Sequence, residues 1–149
     1  MRVLVLHGPN LSQLGARDPA HYGTVTIDDL VAEVAAVHPD VDHFQAEDEG
    51  ALVQRVHAAR SDGTAAVITN PGALTHYSWA LRDALELLDV PVVEVHLSQV
   101  HAREPFRRHS VVAPVAAVTI SGAGALGYRL AAQAVRHRRG LAPAAGSAG

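Results

Sequence analysis

The 149-residue chain contains no cysteine and no lysine, so that all 12 of its Lys/Arg positions are arginine. Without a thiol there is no cysteine nucleophile, no disulfide and no Cys-ligated zinc. Without a lysine amine there is no Schiff base, no lysine-held pyridoxal phosphate and no P-loop lysine. Long apolar runs are also missing. No stretch approaches the ~20 uninterrupted apolar residues that span a bilayer, and the opening MRVLVLHG lacks the apolar region and cleavage site of a signal peptide. A cytoplasmic protein with no membrane contact is expected. The net charge is −3, and Arg136, Arg138 and Arg139 read as a solvated helix end, so a nucleic-acid partner is not expected. Any catalysis falls to His, Tyr, Arg, Asn or carboxylates.

What is present suits one compact domain with a real core: 48% of the residues are hydrophobic. Apolar strands are expected at Arg2 to His7, Val41 to Ala46, Ala65 to Thr69, Val92 to His96 and Val115 to Ile120. Helical spacing is expected from Ile27 to Val37 behind Thr26 as N-cap, and over Glu49 to Arg60, Thr75 to Leu88 and Ala125 to Arg138. Apolar strands alternating with helices indicate an α/β fold whose parallel sheet is covered on both faces. The arrangement predicted is flavodoxin-like, three layers with a five-stranded parallel sheet in the order 2-1-3-4-5, in which ligands bind at the loops after the first and third strands. Residues 1–139 would form this single catalytic domain. The Ala/Gly/Pro/Ser tail, 140–149, has nothing to pack and is expected to be disordered.

Polar residues collect at the strand ends: Asn10 after the first, Asn70 after the third, Glu94 and His96 on the fourth. Singly, each Asn reads as a turn residue and His96 as a satisfied core histidine. Convergence on the expected crevice is what marks them. The sixteen residues from Gly8 to Gly23 form a loop of a length that is uncommon unless functional, and they bring Arg17 within five residues of Tyr22. A free phenol titrates near ~10, and a neighbouring guanidinium that favours the phenolate moves it towards use as a base.

Gly8-Pro9-Asn10-Leu11 with Leu14-Gly15, Arg17-Asp18-Pro19 and Tyr22-Gly23 resembles the opening signature of the type II 3-dehydroquinate dehydratases. Asn70-Pro71-Gly72-Ala73 with Thr75-His76 and Ala80 to Ala84 resembles their second signature, and Glu94-Val95-His96-Leu97-Ser98 their third. The likeness continues through Arg103-Glu104, Phe106-Arg107 and Gly122 to Tyr128, collinear over roughly residues 2 to 136. It implies cofactor-free, metal-free removal of water from 3-dehydroquinate through an enolate, as a step of the shikimate pathway. Tyr22 would be the base, held as phenolate by Arg17; Asn10 would stabilise the enolate; His96, oriented by Glu94, would protonate the departing hydroxyl. The substrate carboxylate would rest on the backbone of Leu97 and Ser98 and the Ser98 hydroxyl, while Asn70, His76 and Arg107 would hold ring hydroxyls. The resemblance also implies a homo-oligomer, a dodecamer of trimers, with Asp83 reaching a neighbouring subunit's site. On the expected helix from Thr75 to Leu88, Ala80, Leu81, Ala84, Leu85 and Leu88 share an apolar face and leave Arg82 and Asp83 towards the polar side.

The chain departs from the family pattern at His7 (commonly Asn), Glu47 (often a small amide), Gln99 (usually Asn) and Pro105 (commonly Glu). Two other readings remain open on these residues: a dehydratase of an amino analogue of dehydroquinate in a natural-product pathway, and a non-catalytic flavodoxin-like binding module. Gly122 to Gly127 fits a dinucleotide glycine pattern, but no later strand ends in an acidic residue, and a tight strand-to-helix turn explains the glycines. None of the ten histidines forms an i, i+4 pair of the zinc-binding kind.

Overall fold

The computed structural model of the protein describes residues 1–142 except 17 and 23, without the side chains of Pro19 and Tyr22. The disorder expected for the tail falls, from residue 143 onward, outside the described residues. Five strands, β1 (Arg2–His7), β2 (Val41–Gln45), β3 (Thr64–Asn70), β4 (Val92–His96) and β5 (Val118–Ser121), form one parallel sheet in the order β2-β1-β3-β4-β5, that of the flavodoxin-like arrangement expected. Between them run α1 (Pro19–Tyr22), α2 (Ile27–Ala35), α3 (Glu49–Ala59), α4 (Trp79–Glu86) and α5 (Leu126–Arg138).

Side chains alternate across a strand, and each face of the sheet has its own core. Val3 and Val5 of β1 with Ala66 and Ile68 of β3 pack against Leu30 and Val34 of α2 and Ala131 and Val135 of α5. Leu4, Leu6 and Val67 face the other way, onto Leu52 and Val56 of α3 and Leu81 and Leu85 of α4. The helix starts follow local chemistry. Thr26 and Asp29 form a reciprocal capping box at α2, and the carboxylate of Asp48 accepts from the Ala51 amide at α3. α5 closes in a Schellman pattern: Gly140 sits at φ 67°, its amide donates to His137 and the Leu141 amide donates to Arg136.

The structure departs from these expectations at several points. The helix expected from Thr75 begins at Trp79, because Ser78 caps it by accepting from the Leu81 amide and Gly72–His76 forms a separate 3₁₀ turn that aims Thr75 inward. Its helical turns stop at Glu86, and Ala80 lies exposed rather than on the apolar face, which Leu81, Ala84 and Leu85 supply. The fifth strand begins at Val118 instead of Val115, since Ala113–Val115, with Pro114 in the turn, is 3₁₀. The segment from Gly8 to Gly23 is also less irregular than its sequence suggests: it holds a 3₁₀ turn at Leu11–Gln13 and the single helical turn α1.

One core position is unusual. His7, the last residue of β1, is wholly buried, and burial followed by repulsion from His43 pushes its pKa from 6.5 down to about 3. The imidazole is therefore folded in its neutral form. Between those two values the unfolded chain binds a proton that the folded chain refuses. The contribution is whole above pH 6.5 and is lost as pH falls towards 3, at ~1.4 kcal/mol per pH unit from this residue. Urea denaturation between pH 7.5 and pH 5 should show stability declining with acidification, and His7→Gln should flatten that decline. An unchanged slope would place the titration elsewhere.

Candidate active site

The sheet register delivers the site. His7 pairs with Gln45 on one side and with Asn70 on the other, Thr69 pairs with Glu94, and His96 pairs with Ser121, so the polar residues end their strands along one edge. Gly8 follows β1 where it does because its amide donates to the Asn70 carbonyl at 2.9 Å, and any side chain there would strike the backbone of Pro71. Above this edge lies a pocket of about 150 Å³ whose wall includes Asn10, Asn70, His76, His96, Ser98 and Arg107. Leu97 and Arg103 also border it.

Glu94 and His96 lie two residues apart on β4 and so share a face. The Glu94 carboxylate is wholly buried and its Oε1 lies 2.7 Å from His96 Nε2. Ser110 donates to it at 2.9 Å, and Thr75 Oγ1 donates as well. Burial pushes this carboxyl up, but hydrogen bonds from His96, Thr75 and Ser110 and the charge of His96 outweigh it and hold Glu94 below the usual carboxylate range. With Nε2–H committed to a carboxylate, Nδ1 is the nitrogen of His96 left to exchange a proton.

His76 donates from Nδ1 to the His109 carbonyl at 2.7 Å, leaving Nε2 as an acceptor. Burial first, then the nearby His96 and Arg107 charges, lower its pKa, opposed by the His109 hydrogen bond. Arg107 is tied to Glu104 and lies 4.7 Å over the Phe106 ring. Asn70 is almost fully buried: its Oδ1 accepts from the Gly72 amide at 3.2 Å and its Nδ2 donates to the Tyr128 hydroxyl at 3.1 Å.

Asn10 adopts the left-handed conformation, φ 68°, and its amide donates to Glu47 at 2.7 Å. Glu47 also accepts from Ser12 at 2.5 Å and Gln45 at 2.8 Å, and these hydrogen bonds lower its pKa. This unusual acid is the clamp on the start of the long loop. Gln99 takes a hydrogen bond from Ser121 at 3.1 Å, and Pro105 opens the 3₁₀ turn that presents Arg107. Ser98 accepts from Arg103 at 3.3 Å.

Arg17 and the Tyr22 side chain lie outside the described residues. The backbone of Tyr22 ends α1, and Ala20 and His21 of that turn border a hollow of about 400 Å³ that shares Leu97, Ser98 and Arg103 with the first pocket. Asp83 stands apart from both, exposed on α4 and paired with Arg82 at 3.1 Å. Sequence reasoning did not assign Arg103, the two hydroxyls on Glu94, or Tyr128 behind Asn70. Arg103 belongs to a matched motif and was within reach; Ser110 carries no local signal and meets Glu94 only through the chain's return.

A profile of the family described as Dehydroquinase class II matches residues 1–136. The chain is 53% identical over 131 residues to the 3-dehydroquinate dehydratase of Laribacter hongkongensis, covering 85% of this chain and 84% of that protein. It is 50% identical over 146 residues to the enzyme of the same name from Pelodictyon phaeoclathratiforme, covering 96% and 97%. The crystal structure of type II dehydroquinase from Propionibacterium acnes superposes with a TM-score of 0.85 at 43% identity, over 91% of this chain and 96% of that one. With profile, relatives and fold in agreement over nearly the whole length, the chain belongs to the class II dehydroquinase family.

Proposed function

We propose that the protein is a 3-dehydroquinate dehydratase acting without a cofactor in the shikimate pathway. The observation that carries the reading is the His96–Glu94 pair at the wall of a polar pocket: the ionised acid fixes the ring, and the remaining ring nitrogen is available as a proton donor. Tyr22, as phenolate beside Arg17, removes the proton α to the ketone. The electron pair moves onto the carbonyl oxygen, where Asn10 stabilises the enolate. When the enolate collapses, the C–O bond β to the carbonyl breaks and the hydroxyl leaves as water with a proton from His96. The phenol and the imidazole then exchange the proton through solvent, which restores both.

Binding follows from the same wall. The amides of Leu97 and Ser98 with the Ser98 hydroxyl receive the substrate carboxylate, and Arg103, donating to that hydroxyl, adds positive charge beside it. The neutral Nε2 of His76, the amide of Asn70 and the guanidinium of Arg107 receive ring hydroxyls. The place of action proposed is the cytoplasm; no described helix is long and apolar enough to cross a membrane.

Incubation with 3-dehydroquinate should generate the ultraviolet absorbance of a conjugated enone, unaffected by chelators or borohydride. No absorbance at any enzyme concentration would overturn the assignment. Tyr22→Phe and His96→Ala should each lower kcat at least ~10²-fold, with smaller changes in KM. A near wild-type kcat in either would move that role to another residue.

The active unit is proposed to be a homo-oligomer, a dodecamer of trimers, in which the exposed carboxylate of Asp83 meets Arg17 of a neighbouring subunit. Asp83→Ala should then reduce activity far more than thermal stability. Mixing Asp83→Ala with Tyr22→Phe subunits should change activity relative to either parent; a monomeric, fully active protein, or no change on mixing, would contradict the cross-subunit role.

A further inference from the structure

Behind the pocket, on the α2/α5 face of the sheet, a line of buried and half-buried polar side chains, Tyr128, His7 and His43, runs on from Asn70 and has no part in the proposed reaction. Asn70 Nδ2 is 3.1 Å from Tyr128 Oη, Tyr128 Oη is 2.8 Å from His7 Nε2, and His7 Nδ1 is 2.9 Å from His43 Nε2. Tyr128 and His7 are wholly buried in a core otherwise built of Val, Leu, Ile and Ala. Polar groups in such a place carry a desolvation cost that only hydrogen bonds offset.

The fixed end of this line sets the Asn70 bond, and the need of the buried Tyr128 proton for an acceptor sets the rest. The Gly72 amide can only donate, so the Asn70 atom it meets is the oxygen, and the Asn70 atom facing Tyr128 is the NH₂ group. Tyr128 Oη accepts there, and its single proton, wholly buried, has His7 Nε2 at 2.8 Å to receive it. His7 must then carry its proton on Nδ1 and donate it to Nε2 of His43. Every member is neutral in this arrangement, which agrees with burial raising the Tyr128 pKa and lowering those of His7 and His43. The amide of Asn70, which lines the pocket, therefore has one N–H and one oxygen lone pair left over. That pair of groups fits a hydroxyl, which both donates and accepts.

We infer that Tyr128 and His7 are positioning residues for substrate: while the Gly72 amide sets which end of the Asn70 amide is which, this hydrogen-bond line holds the Asn70 side chain in one rotamer, and hence its match to a substrate hydroxyl. The inference rests on the proposed function for the identity of the ligand, but not for the line itself. His7 is one of the chain's departures from the family pattern, so the tuning belongs to sequences that carry an imidazole here.

The test combines ¹⁵N histidine NMR of the full-length protein with steady-state kinetics on 3-dehydroquinate. His7 and His43 should both show Nδ1 protonated and Nε2 unprotonated at pH 7.5. Tyr128→Phe and His7→Leu should raise KM about tenfold with kcat within about threefold, the effect of an unanchored buried donor. His7→Gln, whose side-chain oxygen reaches the place of Nε2, should restore KM. A proton on Nε2 of His7, an unchanged KM in Tyr128→Phe, or a His7→Gln that behaves like His7→Leu would each overturn the inference. If the variants do not fold, the ring nitrogens of the wild type decide alone. A wild-type protein inert towards 3-dehydroquinate would instead remove the proposed function, which the NMR result does not touch.

Discussion

A carboxylate with no exposure to solvent is the constraint around which the site is arranged. Glu94 sits inside β4, where an unpaired charge would cost several kcal/mol, and the chain returns to it from three directions. His96 comes from the same strand, Thr75 from the 3₁₀ turn after β3, and Ser110 from the segment before β5. Each partner drags a piece of pocket wall with it. Thr75 brings His76, whose ring is held by the carbonyl of His109, next to Ser110. The hydroxyl of Ser110 in turn takes the amides of Val112 and Ala113, so meeting the buried charge also fixes the course of the loop.

The sheet separates this cluster from a second one. Glu94 and His96 project to the α3/α4 face, whereas His7 and Asn70 follow the parity of Val3, Val5 and Ile68 and project to the α2/α5 face. The first cluster is charged and the second is neutral throughout. They approach one another only at the C-terminal edge of the strands, where Asn70 and His96 both reach the pocket. That division suits the proposed chemistry. Proton delivery calls for a charged partner, while holding a hydroxyl calls for fixed donors and acceptors that do not change state with pH.

Much of this was readable from the chain. A parallel sheet with a core on each face follows from apolar strands alternating with amphipathic helices, its order from the flavodoxin-like arrangement that five such strands fit, and the Glu94-Val95-His96 spacing by itself puts acid and imidazole on one face. What could not be read is instructive. Thr75 was expected to open a helix because the apolar spacing continues through it, yet a buried carboxylate competed for its hydroxyl and Ser78 took over as the cap. Local propensity lost to a long-range charge. His7 and Glu47 were visible only as departures, since their partners Tyr128, Asn10 and Ser12 are joined to them by the fold and not by any spacing.

In the proposed mechanism the buried charge of Glu94, and not merely its shape, makes His96 a proton donor. Glu94→Gln keeps the size and can still accept from Thr75 and Ser110, but it removes the carboxylate charge against the ring. Steady-state kinetics of this variant on 3-dehydroquinate at neutral pH should show kcat reduced by at least ~10²-fold with KM within a few-fold of wild type. A folded Glu94→Gln protein with near wild-type kcat would contradict the account.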